Sequence, residues 1–269
     1  MNSEKPIKLG VLGATGRMGR EIMSAAEKNS SFDLKIALAN KNHVNIKNYL
    51  NKDNENSVST SFEHEKIDVL IDFSAPSGTL SYLPLCKKHK IPMVIGVTNF
   101  SQDEKNIINE TSKHIPIVMA PNMSLGVNVL FSLIEKFSPM LNDYDVEIFE
   151  AHHKYKKDAP SGTAMKLGDI IAQSKGKNIE DIAVFNRCQN DYKRKDGEIG
   201  FSVVRSGEII GEHKIIFTGN NESIEIIHKA QSREHFATGS FMAAKFAIQK
   251  DNGLYNMNDV LNFKLKCEI

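Results

Sequence analysis

A short apolar run, Ile7–Gly13 (IKLGVLG), passes directly into Gly-Ala-Thr-Gly-Arg-Met-Gly and then into a stretch with helical periodicity. That order restricts the fold more than any other feature of the chain. Apolar runs of strand length recur at Leu34–Ala39, Asp68–Ser74, Ile91–Thr98 and Ile115–Asn122. Helical patterns separate them: Arg17–Lys28, with Met18, Ile22 and Ala25 or Ala26 on one face; Gly78–Lys90, which Pro84 interrupts; and Gln102–His114, behind a capping Ser101. Strands alternating with helices predict a parallel sheet with right-handed crossovers, a doubly wound α/β domain over 1–122. The Asn- and Lys-rich stretch 40–57 reads as irregular or inserted.

The pattern changes near residue 123. A longer helix over Gly126–Leu141, a strand DVEIFEAHH and a helix over Ser161–Lys175 come first. Three apolar alternations then follow without intervening helices: GFSVVRSG, IIGEHKIIFTG and ESIEIIHKA. The cluster Gly219-Asn220-Asn221 marks a hairpin between the last two. This predicts an α+β domain with a mixed sheet over 123–236, while 237–269, with a helix at Ala237–Lys250, packs back on the first domain.

Composition narrows the function. Apolar residues make up 41% and charged residues 25% of the 269, enough for sizeable cores, and the formal net charge is +1. No global field recruits nucleic acid or a membrane surface, and no run approaches a membrane span. Cys86, Cys188 and Cys267 are odd in number and widely spaced, so neither a disulfide framework nor a metal site is expected. The expected compartment is the cytoplasm.

In GATGRMG, Gly13, Gly16 and Gly19 stand at the first strand-to-helix junction, where glycine permits a sharp turn and close approach of a pyrophosphate to helix amides. Thr15 replaces the second glycine of the usual fingerprint, and Arg17 adds a cation. The pattern points to a nicotinamide dinucleotide in a Rossmann-like domain; a merely tight turn is the alternative. About 20 residues on, where an acid would read the ribose hydroxyl, stands Ala39-Asn40-Lys41. Without a carboxylate and with Lys41 nearby, the lean is to NADPH over NADH. Gly96-Val97-Thr98 and Ala120-Pro121-Asn122-Met123 end two later strands, on the side where such sheets bind ligands; ordinary turns would also carry these residues.

The segment EAHHKYKKDAPSGTA, 150–164, gathers His152, His153, Lys154, Lys156 and Lys157 in a chain of balanced charge. A helix starting at Ser161-Gly162-Thr163 would add free amides to this cationic loop, with Ser161 as its cap. Together they suit a small carboxylate or dicarboxylate. A solvated basic loop, with Asp158 paired to a lysine, is the plain alternative. A lysine among other cations is a ready proton donor near neutrality, and Lys156 is one candidate.

With these residues in view, the whole chain resembles the 4-hydroxy-tetrahydrodipicolinate reductase (dihydrodipicolinate reductase) family. The resemblance rests on GATGRMG, DVLIDFSAPSGTL, MVIGVT, APNMSLGVNVL, EAHHKYKKDAPSGTA and VRSGEIIGEH, in that order. It implies that His152 and Lys156 are the catalytic pair, Lys156 donating the proton. It implies that His153, Gly162 and Thr163 bind the substrate's carboxylates. It assigns Gly13, Ala14, Thr15, Gly16, Arg17 and Met18, with Gly96, Val97, Thr98, Ala120, Pro121, Asn122 and Met123, to NADPH or NADH. It further implies a homotetramer assembled through the second sheet, and lysine synthesis by the diaminopimelate route. The implied reaction adds hydride from the nicotinamide C4 to a conjugated C=N–C=C ring system and then a proton. The chain departs from the family at Ala39, where an acid is frequent, which argues against a strong NADH preference. Val97 and Asn99 vary a common Gly-Thr-Thr-Gly pattern, and Tyr155 and Lys157 occupy variable positions.

Two other readings compete. A semialdehyde or homoserine dehydrogenase shares this organisation, but aldehyde oxidation needs a nucleophilic cysteine at the cofactor, and none of the three adjoins a cofactor motif. A nucleotide-binding module without turnover would have no use for His152, Lys156 and Ser161-Gly162-Thr163 together.

Overall fold

The computed structural model describes residues 5–39, 58–59, 62, 67–188 and 193–262. All of 40–57, Lys41 included, and Cys267 lie outside them. The described residues form two compact units, one from the chain up to Leu125 and again from Arg233, the other from Gly126–Ser232.

In the first unit, β1 (Ile7–Leu12), β2 (Phe32–Leu38), β3 (Val58–Ser59), β4 (Val69–Asp72), β5 (Met93–Ile95) and β6 (Pro116–Met119) are joined by a late strand, β12 (Gly253–Tyr255). All pair in parallel in the order β12-β6-β5-β4-β1-β2-β3. The chain moves from β1 to β2 on one side and then returns to β4 on the other. The topological switch therefore falls between the ends of β1 and β4, where open sheets take their ligands. The strands read as unbroken apolar runs because both faces are covered. Val69 and Ile71 pack with Ile22 and Ala25 of α1 (Arg17–Glu27) and with Phe241 and Ala244 of α7 (Glu234–Ala247). Leu70 points the other way, among Leu83 and Cys86 of α2 (Pro76–His89) and Ile108 of α3 (Gln102–Ser112).

Two local expectations meet the structure here. Ser101 caps α3 with a full capping box: its Oγ accepts from the Glu104 amide at 3.2 Å, and Glu104 Oε2 accepts from the Ser101 amide at 2.7 Å. Pro84, expected to disturb its helix, sits inside an unbroken α2. Its neighbours Leu83 and Cys86 are buried against the sheet, and that packing outweighs the lost backbone hydrogen bond.

The second unit begins with α4 (Leu125–Phe137, its first residue still in the first unit), which ends earlier than its periodicity suggests because Pro139 opens a 3-10 turn over Ser138–Leu141. Then come β7 (Asp145–His152), α5 (Gly162–Ser174), α6 (Ile179–Ile182), β8 (Ala183–Val184), β9 (Ile199–Arg205), β10 (Gly211–Thr218) and β11 (Ser223–Ala230). They make a mixed five-stranded sheet in the order β11-β10-β7-β9-β8. β10 is antiparallel to β7 and β11, while β7, β9 and β8 run parallel. The hairpin forms as expected, the Gly219 amide donating to the Glu222 carbonyl at 2.9 Å.

Side chains of a strand alternate faces, so every second residue of β7 shares one environment. Val146 and Ile148 pack with Ile215 and Phe217 of β10, Phe201 of β9, Ile134 of α4 and Leu167 and Ile171 of α5. The next residues in that series are Glu150 and His152, so the core face becomes an ionisable face within two steps. Sequence periodicity did not reveal α6, β8, β12 or α8 (Met257–Leu261), all five residues or fewer. No helix among the described residues is long and apolar enough to cross a membrane.

Candidate active site

Glu150 is 1% exposed, and both carboxylate oxygens are fully engaged. Oε2 lies 2.6 Å from His152 Nδ1 and accepts from Arg205 Nη1 at 2.9 Å. Oε1 accepts from Arg205 Nη2 at 2.7 Å and from the Ser161 amide at 3.0 Å. Register explains the convergence, since Arg205 of β9 pairs with His152 of β7 and the Ser161 amide lies just ahead of α5. Burial pushes the Glu150 carboxyl up, but the bonds from His152, Arg205 and Ser161 outweigh it and hold the group at about 2. A carboxylate on Nδ1 fixes the ring's orientation and assigns the Nδ1 proton to that bond. The rest of the His152 ring is accommodated by Gly211, where a Cβ would lie 3.1 Å from Nε2.

The loop after β7 carries Lys156, whose Nζ lies 2.9 Å from Asp158 Oδ2. Partial burial pushes the Asp158 carboxyl up, but Lys156 and the Gly162 amide hold it below the usual range. Arg205 Nη2 also donates to the Asp158 carbonyl at 2.6 Å, tying this loop to the Glu150 centre. Ser161 caps α5, its Oγ accepting from the Ala164 amide at 3.2 Å. Gly162 is exposed, and a Cβ built on it meets nothing within 4 Å. The start of α5 therefore presents backbone to open space beside a cationic loop, an arrangement that receives carboxylates. His153 follows the end of β7 with its ring 6.2 Å from Tyr155, while Lys154 lies over the Tyr155 ring at 5.1 Å.

The glycine-rich turn of the first unit fits a dinucleotide phosphate. Gly13 has φ of +86°, and a Cβ there would lie 2.8 Å from the Phe73 carbonyl. A Cβ on Gly19 would lie 2.2 Å from the Gly13 carbonyl oxygen, so the turn packs on the helix only without one. The Gly13 and Ala14 amides both donate to the Leu38 carbonyl, at 2.9 and 3.0 Å, anchoring the turn to β2. Gly16, the N-cap of α1, gives no side-chain cap, and the first turn holds no acid. That helix end thus keeps its positive character for an anion. Ala14, Val97, Ala120 and Met123 are buried, leaving backbone as what they offer a ligand, whereas Gly16, Arg17, Thr98 and Pro121 are exposed. Thr15, Met18, Gly96 and Asn122 are partly buried. Asn122 Oδ1 accepts from the Ser124 amide at 2.9 Å, closing the turn after β6. Against that turn lies Gly239 of α7, where a Cβ would overlap the Met123 carbonyl oxygen at 1.7 Å.

Of the residues singled out in the sequence, His152, His153, Lys156, Gly162 and Thr163 lie in the second unit, along β7, its loop and the start of α5. The nucleotide candidates lie at strand ends of the first. Glu150, Arg205 and His213 are not among the residues the sequence alone singles out as functional. Period two along β7 carried the signal for Glu150, two residues before His152; the partners on β9 and β10 become visible only through sheet register. The described residues hold no group of His, Cys, Asp or Glu arranged for a metal ion. Cys86 is buried, and burial followed by the Asp72 charge pushes its thiol far up, which disqualifies it as the nucleophile of an aldehyde dehydrogenase.

Comparison with known proteins agrees along the length of the chain. A family model described as dihydrodipicolinate reductase, N-terminus, matches residues 7–123, and one described as dihydrodipicolinate reductase, C-terminus, matches 126–261. A 4-hydroxy-tetrahydrodipicolinate reductase of Nitrosomonas eutropha is 44% identical over 96% of this chain and 99% of its own length. The protein of the same name from Pseudoalteromonas translucida is 42% identical over 96% and 98%. Among solved structures, a dipicolinate-bound dihydrodipicolinate reductase from Paenisporosarcina sp. TG-14 matches with a TM-score of 0.72 at 23% identity, over 93% of this chain and 97% of that one. A probable dehydrogenase from Thermotoga maritima reaches 0.61 at 10% identity, over 94% and 92%. These two likenesses are of fold.

Proposed function

The chain belongs to the dihydrodipicolinate reductase family, and on that premise we propose that it reduces 4-hydroxy-tetrahydrodipicolinate to tetrahydrodipicolinate in the diaminopimelate route to lysine. The observation that carries this reading is the Glu150-oriented His152 standing on the same segment as Lys156 and the open start of α5. A reduced nicotinamide nucleotide, held by the GATGRMG turn with residues 96–98 and 120–123, supplies a hydride from its C4 when bound.

The chain's own residues do the rest. His153 and the backbone at Gly162 and Thr163 hold the substrate's carboxylates, which orients the ring and offsets its charge. Lys156 delivers the proton that completes the reduction, exchanging its Asp158 partner for the substrate. His152, fixed through Nδ1 by Glu150, polarises the ring or relays the proton. NADPH is the favoured donor, because Ala39, directly after β2, brings no carboxylate to repel a 2′-phosphate.

The assembly is a homotetramer. On the face of the second sheet away from its core, Phe149, Ile216 and Ile227 are apolar, Ile227 being 49% exposed. The ion pair Lys214–Glu225, at 2.6 Å, lies among them. Light scattering of the purified chain should give four times the chain mass, and a monomer would overturn the assembly. The function itself is tested by following NADPH and NADH oxidation with the product of dihydrodipicolinate synthase. Turnover with both, and a lower KM for NADPH, is expected; oxidation of neither would sink the reading.

A further inference from the structure

One buried imidazole of the second unit has no part in the chemistry above. His213, on β10, is 4% exposed and lies in register with Glu150 of β7 on one side and His228 of β11 on the other. Its ring stands edge-to-face to His152 with centroids 5.2 Å apart, and 6.4 Å from His228. Its Nε2 lies 3.1 Å from Ser161 Oγ, the oxygen that caps α5. Nδ1 has no hydrogen-bond partner among the described residues.

Counting protons assigns the tautomer. Ser161 Oγ already accepts from the Ala164 amide, so its hydroxyl proton must find an acceptor elsewhere. With Nε2 as that acceptor, the imidazole proton sits on Nδ1 and one buried donor is left over. With Nε2 as donor, the Ser161 hydroxyl proton and the Nδ1 lone pair are both left over. The first arrangement leaves fewer buried groups unsatisfied. Charge agrees with it: burial, then the neighbouring His152, holds the His213 imidazole down to about 3, although Glu150 pulls the other way. His228 and Lys156 add to the downward push. At neutral pH the ring therefore has a bare nitrogen for Ser161 and adds no charge to the His152–Glu150–Arg205 cluster.

We propose that His213 is a positioning residue for the dicarboxylate: its Nε2 fixes the Ser161 hydroxyl, and through it the capped start of α5 that receives a substrate carboxylate. The proposal rests on the function proposed above and deepens it. Ser161 is held twice, its amide by Glu150 and its hydroxyl by His213. A rotation of that hydroxyl would loosen the cap while leaving the Glu150–His152 bond in place. His213 thus acts on binding of the dicarboxylate, and the proton-transfer pair is orientated separately.

Two substitutions separate the ring nitrogens. A glutamine amide reaches the place of Nε2 and an asparagine amide that of Nδ1, and both are uncharged. Calorimetry with dipicolinate as the probe, and KM for the substrate, should show H213Q close to the unsubstituted enzyme and H213N weakened about tenfold, the loss of one hydrogen bond. The kcat should change little, and the KM for NADPH not at all. Ser161→Ala should weaken the dicarboxylate similarly, and H213N should add nothing in that background. Equal behaviour of H213Q and H213N, or additive losses with Ser161→Ala, would overturn the proposal and leave His213 a packing residue. Failure of the unsubstituted protein both to bind dipicolinate and to turn over would instead overturn the function.

Discussion

At the end of β1 the chain makes room by leaving side chains out, whereas at the end of β7 it packs ionisable side chains into the extension of a core. The first site consists of Gly13, Gly16 and Gly19, an uncapped helix end and backbone already anchored to Leu38. The second consists of Glu150, His152 and Arg205, bonded to one another, with His213 bonded to Ser161 beside them, all largely buried. A nucleotide phosphate is a strong anion that needs only amides and room. Proton delivery to a ring requires a donor whose partners hold it in place. The two sites therefore answer to different perturbations: the first to any added volume, the second to any removed partner.

The largest effect expected is from Lys156→Ala, which should lower kcat by about 10²- to 10⁴-fold, the usual contribution of a general acid. Nucleotide affinity, read by fluorescence titration, should not move; a parallel loss of nucleotide binding would break the separation between the sites. Glu150→Gln should cost about 3 kcal/mol in urea unfolding, because it leaves Arg205 beside an uncharged partner. The same variant sharpens the comparison through pH. Glu150 is held at about 2 when folded, against 4.5 ordinarily, so its stabilisation is complete above the ordinary value and lost as pH falls through the folded one. Unfolding measured from neutral pH downwards should show that loss in the original chain and not in the Gln variant. Gly19→Ala should weaken NADPH roughly tenfold, since a Cβ displaces the Gly13 carbonyl, with dipicolinate affinity unchanged. Ser101→Ala, outside both sites, should cost about 1 kcal/mol from the lost cap and leave kinetics alone.

The same contrast explains what sequence could reveal. The parallel sheet was legible because strands buried on both faces are continuous apolar runs, and the glycine turn because its requirement is local. Ser101 and the hairpin at Gly219 were legible for the same reason, their partners lying within three residues. His152 and Lys156 stood out as a cluster of charge, but Arg205 and His213 did not. Their roles depend on β9 and β10 pairing with β7 in one register, and register is set by the whole sheet. β12 and α8 escaped because a three-residue strand and a five-residue helix are too short for periodicity.

The return of α7 and β12 to the first sheet also has a consequence for biosynthesis. Everything from Gly126 to Ser232 emerges from the ribosome before the helix that covers Val69 and Ile71 and the strand that pairs with β6. Domains fold as units during synthesis, so the middle of the chain is free to mature while the earlier sheet, covered on that face by α1 alone, waits for α7. Chains stalled at increasing lengths should gain protease resistance first in Gly126–Ser232. The nascent first domain, with the part of that apolar face that α7 later covers still exposed, is then the client a ribosome-associated chaperone would be expected to hold.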